Sequence, residues 1–186
     1  RWFLQAAKKR GVERFLAFTI SAPVHMTKNG KAFSSQKVFL NIQKDKLPNY
    51  ADFLIECVVN LQEKEQIKFD YLSPINEPQW DWMAKEGNKA SQEGTPATNK
   101  ELYDFTNLLS NKLKDKSLPT QIVLGEAGAI NYLYENVDNE NRYNQIEDFW
   151  SPSSSMYIGA MSNVLNVISG HSYFSVWPVV YQVEHR

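Results

Sequence analysis

The sequence predicts an α/β protein in which parallel strands alternate with amphipathic helices. Short apolar runs at residues 15–20, 69–75 and 121–127 are typical of buried strands, and helical patterns separate them. No hairpin signal joins consecutive strands, so crossover helices and a parallel sheet are expected. Each long polar loop follows a strand and precedes a helix. Polar side chains should therefore gather at the carboxyl ends of the strands, where both barrels and doubly wound sheets bind their ligands.

The first part of the chain contains two predicted helices and one strand. Residues 2–10 end in three basic residues before Gly11, which is typical of a helix C-terminus. The strand at residues 15–20 opens into a polar loop at residues 21–30, and residues 31–49 are irregular. The next helix has apolar side chains at the spacing i, i+3, i+4, i+7, namely Tyr50, Phe53, Leu54, Cys57, Val58 and Leu61. This pattern predicts that the single cysteine lies in the core.

The middle of the chain contains the central strand and a third helix. Residues 69–75 are apolar and end in the turn signal Asn76-Glu77-Pro78. A polar loop without periodicity covers residues 85–96. Thr98 and Glu101 form a capping box. Leu102, Phe105, Leu109 and Leu113 follow it at helical spacing.

The last part of the chain predicts a third strand, a long loop, a fourth helix and a fourth strand. The strand at residues 121–127 again carries an acid near its end. Residues 129–154 are interpreted as one long loop, which in compact domains is usually functional. A helix is predicted over residues 157–165, and a short strand from Val167 onward leads into His171-Ser172-Tyr173.

Composition and charge exclude several classes of protein. The 186 residues suffice for one domain, residues 1–186, and the net charge of −1 offers no attraction for nucleic acid. No apolar run approaches the ~20 residues that span a bilayer. One cysteine excludes an internal disulfide, and the histidines and acids lack metal-ligand spacing. The absence of a glycine-rich phosphate loop argues against a nucleotide-dependent enzyme. We therefore expect no cofactor, no metal, no nucleic-acid partner and no membrane insertion.

The Asn76-Glu77-Pro78 segment is the strongest candidate site. Its carboxyl group lies where a buried strand ends, and Pro78 stops the ladder because it has no N–H to donate. The residue before a proline avoids the α region, so an extended Glu77 is expected. Trp80 and Trp82 follow closely. An acid could protonate a glycosidic oxygen, an amide could hold a hydroxyl, and indole rings could stack on a sugar. The alternative is a loop acid beside tryptophans of the core.

Four further side chains are expected on the same rim. His25, Glu126, His171 and Tyr173 each follow a predicted strand or lie at its end. Each also has an ordinary structural interpretation. His171 and Tyr173 could belong to a buried strand, His25 could pack against its neighbours, and Glu126 could cap a nearby backbone.

Several segments in a fixed order resemble glycoside hydrolase family 30. They are Ser21-Ala22-Pro23, Asn41-Ile42, Tyr50-Ala51-Asp52-Phe53-Leu54 and Asn76-Glu77-Pro78. The resemblance covers most of the chain, and the order and spacing of the segments carry it. It implies a (β/α)8 TIM barrel of which this chain supplies about strands 3 to 6, and a retaining mechanism that cleaves β-linked polysaccharide.

The resemblance also implies roles for individual residues. Glu77 is the general acid/base and Asn76 binds the sugar 2-hydroxyl. His171-Ser172-Tyr173 is similar to the His-x-Tyr of the sixth strand, whose tyrosine supports the nucleophile. The remaining candidates line the sugar subsites, namely His25, Trp80, Glu126 and Trp177.

The chain departs from the family pattern in one respect. The nucleophilic glutamate belongs at the end of the seventh strand, and Glu184 comes too soon after Trp177 to take that place. We therefore expect a barrel domain truncated at both ends, inactive alone, with the remainder of the barrel as its partner. The resemblance favours an endo-β-1,6-galactanase located outside the cell or in the periplasm. Xylan, β-1,6-glucan and glucosylceramide are alternative substrates, and a non-catalytic carbohydrate-binding barrel is the alternative function.

Overall fold

In the residues that it describes, the computed structural model contains one sheet of four parallel strands in the order β1-β2-β3-β4. It describes residues 1–35, 38–84, 90, 92–137 and 140–173. The strands are β1 (Leu16–Phe18), β2 (Tyr71–Ser73), β3 (Gln121–Ala127) and β4 (Val164–Gly170). Neighbouring strands pair in register through Leu16 with Tyr71 and Tyr71 with Gln121. The predicted α/β class and the parallel sheet are confirmed.

In the part of the chain that the structure describes, four α-helices alternate with the strands. They are α1 (Trp2–Lys9), α2 (Leu47–Glu65), α3 (Asn99–Asp115) and α4 (Gln145–Trp150). Pro48 lies in the first turn of α2, where its missing N–H costs nothing. The predicted capping box begins α3, since the Thr98 hydroxyl accepts from the Glu101 N–H and the Glu101 carboxylate accepts from the Thr98 N–H. Helix and strand thus alternate in the predicted order, although α4 does not lie at the residues where the fourth helix was predicted.

The core lies between α2, α3 and one face of the sheet. Buried side chains of α2 and α3 pack against Leu72 of β2 and Ile122 of β3. The rings of Tyr50 and Phe105 stack with centroids 5.4 Å apart, which joins the two helices. The Tyr50 hydroxyl donates to the Thr19 hydroxyl just beyond β1. Burial of this face fixes the strands, and their carboxyl ends lie at one edge of the sheet.

The buried face predicted for α2 was only partly correct. Cys57 was expected in the core but is exposed, and Phe53 is 40% exposed. The buried face consists of Tyr50, Ala51, Leu54, Ile55 and Val58. This face shares Tyr50, Leu54 and Val58 with the predicted one, but Ala51 and Ile55 are buried in place of Phe53 and Cys57.

The boundaries in the last third differ from the prediction. Residues 129–154 are not one loop, since α4 and a short 3-10 helix (Ile130–Leu133) lie within them. Residues 157–165 do not form a helix, and β4 begins at Val164 rather than Val167. The Ile122 N–H donates to the Asn163 carbonyl, which draws this segment into the sheet. Pairing with a neighbouring strand outweighed the local helical pattern.

The α-helices of the described residues are either too short or too polar to cross a bilayer.

Candidate active site

A cleft of about 510 Å³ opens near the carboxyl ends of the strands. Phe18, Ile20, Asn76, Glu77, Trp80, Gln92, His171 and Tyr173 line it. Five of the eight site residues predicted from the sequence are among them. The cleft therefore combines a buried carboxyl group, an amide, an imidazole and three aromatic rings, which are groups that can bind and cleave a sugar.

The backbone of Glu77 is strained. Glu77 was expected to be extended, but its φ is +43°, in the left-handed region that side chains with a Cβ rarely adopt. Three hydrogen bonds impose this conformation. The Glu77 N–H donates to the Glu126 carbonyl at 2.9 Å, and the Glu77 carbonyl accepts from the Trp80 N–H and from the Trp82 indole N–H. These contacts outweigh the steric preference before proline and fix where the carboxyl group begins.

The His171 ring lies between two carboxylates. Its Nδ1 is 2.6 Å from Glu77 Oε1 and its Nε2 is 3.0 Å from Glu126 Oε2. Both glutamates are buried, with 6% exposure each. Partial burial lowers the pKa of His171, but hydrogen bonds and charge from Glu126 and Glu77 outweigh it and raise the pKa above 6.5. An imidazole thus connects the carboxyl groups that follow β2 and end β3.

A bulge in β3 turns Glu126 toward His171. Leu124 pairs with Ile168 and Ala127 pairs with Gly170, so Gly125 and Glu126 together face the single residue Ser169. Gly125 has φ +119°, and a Cβ there would lie 2.5 Å from the Ser169 carbonyl oxygen. The Ser169 hydroxyl accepts from the Glu126 N–H at 2.9 Å and donates to Glu126 Oε1 at 2.8 Å.

Two glycines make room for the two tryptophans. A Cβ on Gly128 would lie 2.1 Å from the Trp80 indole nitrogen, and a Cβ on Gly94 would lie 2.5 Å from the Trp82 ring. Trp80 packs edge to face on Tyr132 at 5.5 Å. The indole of Trp80 therefore forms a supported wall of the cleft, whereas Trp82 holds the Glu77 carbonyl.

The other predicted residues have different positions. Asn76 is buried, and its Oδ1 has no hydrogen-bond partner among the described residues. Tyr173 is exposed and lies edge to face with His171 at 5.4 Å. His25 is exposed in a short 3-10 helix, and it is not among the described residues that line the cleft. Glu126 lies behind His171 instead of lining the cleft, and Trp177 falls outside the described residues.

Sequence reasoning missed four residues around the site. Phe18 ends β1 and Ile20 follows it by two residues, so the period of two along a strand could have placed both on one face. Ser169 lies two residues before His171, so the same period of two could have placed these side chains on one face. Gln92 lies in a polar loop that carries no periodic signal.

No group of three or more His, Cys, Asp or Glu in residues 1–35, 38–84, 90, 92–137 and 140–173 could hold a metal ion.

The sequence profile described as O-glycosyl hydrolase family 30 matches residues 1–186. The chain belongs to this family. The suspected family resemblance is therefore confirmed, and the fold can be compared with solved family 30 enzymes. None of the curated proteins compared shows significant similarity to the chain.

Three solved structures have a similar fold. A conserved exported protein from Bacteroides fragilis has 29% identity and a TM-score of 0.88 over 98% of the chain. The catalytic domain of a family 30 xylanase from Talaromyces cellulolyticus has 20% identity and a TM-score of 0.56 over 69% of the chain. An endo-β-1,6-glucanase has 20% identity and a TM-score of 0.58 over 78% of the chain.

This family 30 chain spans about a third of the proteins it matches. It covers 36% of the exported Bacteroides protein, 29% of the xylanase domain and 32% of the glucanase. Its four parallel strands and their helices correspond to part of a (β/α)8 barrel, as predicted.

Proposed function

We propose that this chain is the acid/base portion of a retaining glycoside hydrolase that cleaves β-linked polysaccharide. Glu77 is the general acid/base in this proposal. The observation that carries it is a buried carboxyl group that lines a 510 Å³ cleft together with Trp80 and Tyr173. The acid protonates the glycosidic oxygen as the bond to the leaving sugar breaks, and its carboxylate then takes a proton from the attacking water.

The second carboxylate belongs to another part of the barrel. Retaining chemistry needs two carboxyl groups about 5–5.5 Å apart with the sugar between them. The imidazole of His171 fills the space between Glu77 and Glu126, so these two acids do not face each other across an open cleft. A nucleophile contributed by the remainder of the barrel completes the site, and the 186-residue chain alone hydrolyses nothing.

The remaining cleft residues bind the sugar. Asn76 offers an amide for the 2-hydroxyl, and its unpartnered Oδ1 supports this role. Trp80 and Tyr173 offer rings to the pyranose faces. We propose β-1,6-galactan as the first substrate to test, followed by β-1,6-glucan, xylan and glucosylceramide. A location outside the cell or in the periplasm is part of this proposal, and the exported Bacteroides protein supports it.

The test is Glu77→Ala in the full-length protein that carries this chain. We expect hydrolysis of the natural polysaccharide to fall by ~10²–10⁴-fold, the usual effect of losing a general acid/base. An aryl glycoside with a good leaving group needs little protonation, so its first step should survive and give a burst of phenol. Added azide should restore turnover and yield a glycosyl azide of retained configuration.

Two results would contradict the proposal. Equal loss on both substrates without azide rescue would show that Glu77 is not the acid/base. Sugar binding without hydrolysis in the wild-type protein would favour the non-catalytic alternative. Glu63→Gln, an exposed glutamate of α2, is the matched control and should behave as wild type.

A further inference from the structure

The structure assigns Glu126 as a positioning residue for Glu77, acting through His171. Glu126 does not touch the cleft in this assignment. Glu126 keeps one proton on Nε2 of His171. The second proton of the ring, on Nδ1, is then the one that can exchange with Glu77. The inference rests on the proposed role of Glu77 as acid/base and deepens it.

The short contact between His171 and Glu77 requires a proton. A carboxylate oxygen and an unprotonated ring nitrogen are both acceptors, so a separation of 2.6 Å means that one proton lies between Oε1 and Nδ1. Whether Nδ1 can exchange that proton depends on the other ring nitrogen. The hydrogen bond of one nitrogen sets the protonation of the other. Nε2 faces the Glu126 carboxylate at 3.0 Å and therefore keeps its proton.

Ser169 determines which carboxylate oxygen of Glu126 accepts from His171. Its hydroxyl oxygen accepts from the Glu126 N–H, so its single proton is directed to Glu126 Oε1. Glu126 Oε2 is then left to accept from His171. The bulge at Gly125 and Glu126 brings these groups together, since only a glycine allows the close approach to the Ser169 carbonyl.

The proton can then be followed through both steps. Before reaction one exchangeable proton lies between Nδ1 and Glu77 Oε1, and Nε2 carries the other proton of the ring. When that proton is on Glu77, it makes the acid that protonates the glycosidic oxygen, which leaves His171 neutral with its one proton on Nε2. In the second step the attacking water returns a proton to Glu77, from which it passes back to Nδ1. Each cycle therefore consumes no proton at the pair.

The groups that face His171 give the sign of the pH dependence. Glu77 follows β2, Glu126 ends β3, and Tyr173 follows β4 edge to face with the ring. The two carboxylates raise the pKa of His171 above its usual value. Removing the charge of Glu126 removes one of the causes that raise the pKa of His171, so the alkaline limb of the activity profile should move to lower pH.

The test is Glu126→Gln in the full-length protein with ¹⁵N-labelled histidine. Ser169 still needs an acceptor, so the glutamine oxygen should face Ser169 and its NH₂ group should face Nε2. We expect His171 to switch from the Nε2–H to the Nδ1–H tautomer, with its signals assigned by their loss in His171→Asn. Polysaccharide hydrolysis should fall by on the order of 10²-fold, the effect of a misplaced catalytic group, with the alkaline limb at lower pH.

A second variant separates tautomer control from general damage. Adding Ser169→Ala to Glu126→Gln frees the carboxamide to turn its oxygen toward Nε2. This double variant should recover the Nε2–H tautomer and part of the activity. Glu63→Gln should change neither measurement.

The inference is wrong if wild-type His171 is in the Nδ1–H form above its pKa, a measurement that needs no variant. It is also wrong if Glu126→Gln leaves the tautomer unchanged, or changes it without moving the pH profile. The acid/base role of Glu77 is judged separately by azide rescue of Glu77→Ala, so the two failures are distinguishable.

Discussion

At the scale of single residues, the two buried glutamates share an unfavourable backbone conformation. Glu77 has φ +43° and Glu126 has φ +44°. A left-handed residue with a Cβ costs roughly 1–2 kcal/mol. The hydrogen bond from the Glu77 N–H to the Glu126 carbonyl joins the two strained peptides directly. Strain of this kind persists only where surrounding contacts impose it, and such residues cluster at functional sites.

The position of the Trp80 ring depends on the absence of a side chain at Gly128. Gly128→Ala adds a methyl group where only 2.1 Å separates it from the indole nitrogen, so the ring must move off Tyr132. We expect a loss of about 1–3 kcal/mol in the free energy of unfolding, as for other overpacked sites. Oligosaccharide affinity, measured by calorimetry, should fall on the order of tenfold as the aromatic wall is displaced.

Gly170→Ala is the control for Gly128→Ala. Its methyl group would lie 3.2 Å from the end of the Leu133 side chain, which can turn aside, and in ordinary contact with the Ala127 Cβ at 3.8 Å. Wild-type sugar affinity in Gly128→Ala would mean that Trp80 does not contribute to binding.

At the scale of elements, long-range hydrogen bonds hold the loops that follow the strands. The Asn41 amide donates to Asn29 Oδ1 and to the carbonyls of Lys31 and Phe33, which shapes the loop between β1 and α2. The half-exposed Asp81 pairs with buried Arg142 at 2.9 Å, which joins the loop after β2 to the segment before α4. The loops around the cleft are therefore tied to each other as well as to the strands.

The capping box at the start of α3 should stabilise the protein. Thr98→Ala removes the hydroxyl that accepts from the Glu101 N–H and leaves that donor without its cap. We expect a loss of about 1 kcal/mol in the free energy of unfolding, measured by urea denaturation. Thr98→Ser keeps the hydroxyl and should recover most of it. Equal stability of the alanine and serine variants would show that the capping box contributes nothing.

At the scale of the whole molecule, one face of the sheet lacks cover within the described residues. Leu16 and Phe18 of β1 are 44% and 51% exposed, and Val167 of β4 is 46% exposed. They lie away from the face that packs on α2 and α3. In a closed barrel such side chains fill the interior against the other strands. This exposed face, together with the open edges of β1 and β4, is where the remainder of the barrel would pack.

The 186-residue chain on its own should therefore self-associate. We expect sedimentation velocity to show oligomers at micromolar concentration, because exposed apolar faces and unpaired strand edges associate. Leu16→Lys places a charge on this face and should raise the concentration at which oligomers form. Val137→Lys alters a valine that is exposed in a loop and should change nothing. A stable monomer with a cooperative thermal transition would contradict the expectation.

Features that depend on neighbouring residues along the chain could be predicted from the sequence. Helical periodicity predicted α2 and α3, the Thr98–Glu101 pair predicted a helix start, and the apolar run before Asn76 predicted β2, although β2 ends at Ser73, four residues before the candidate acid. These predictions succeeded because propensity, capping and hydrophobic period act over a few residues. Even the common rim followed, since alternating helices and strands bring carboxyl ends together.

The assembly of the site depends on contacts between residues that are far apart in the chain. Glu77 and His171 are 94 residues apart, and Glu126 and His171 are 45 apart. Their contact depends on the β3 bulge and on left-handed backbone angles that local preference opposes. The same holds for β4, where pairing with β3 replaced a predicted helix. Local pattern cannot specify these features, because strand register and long-range hydrogen bonds set them at an energy that exceeds the local preference.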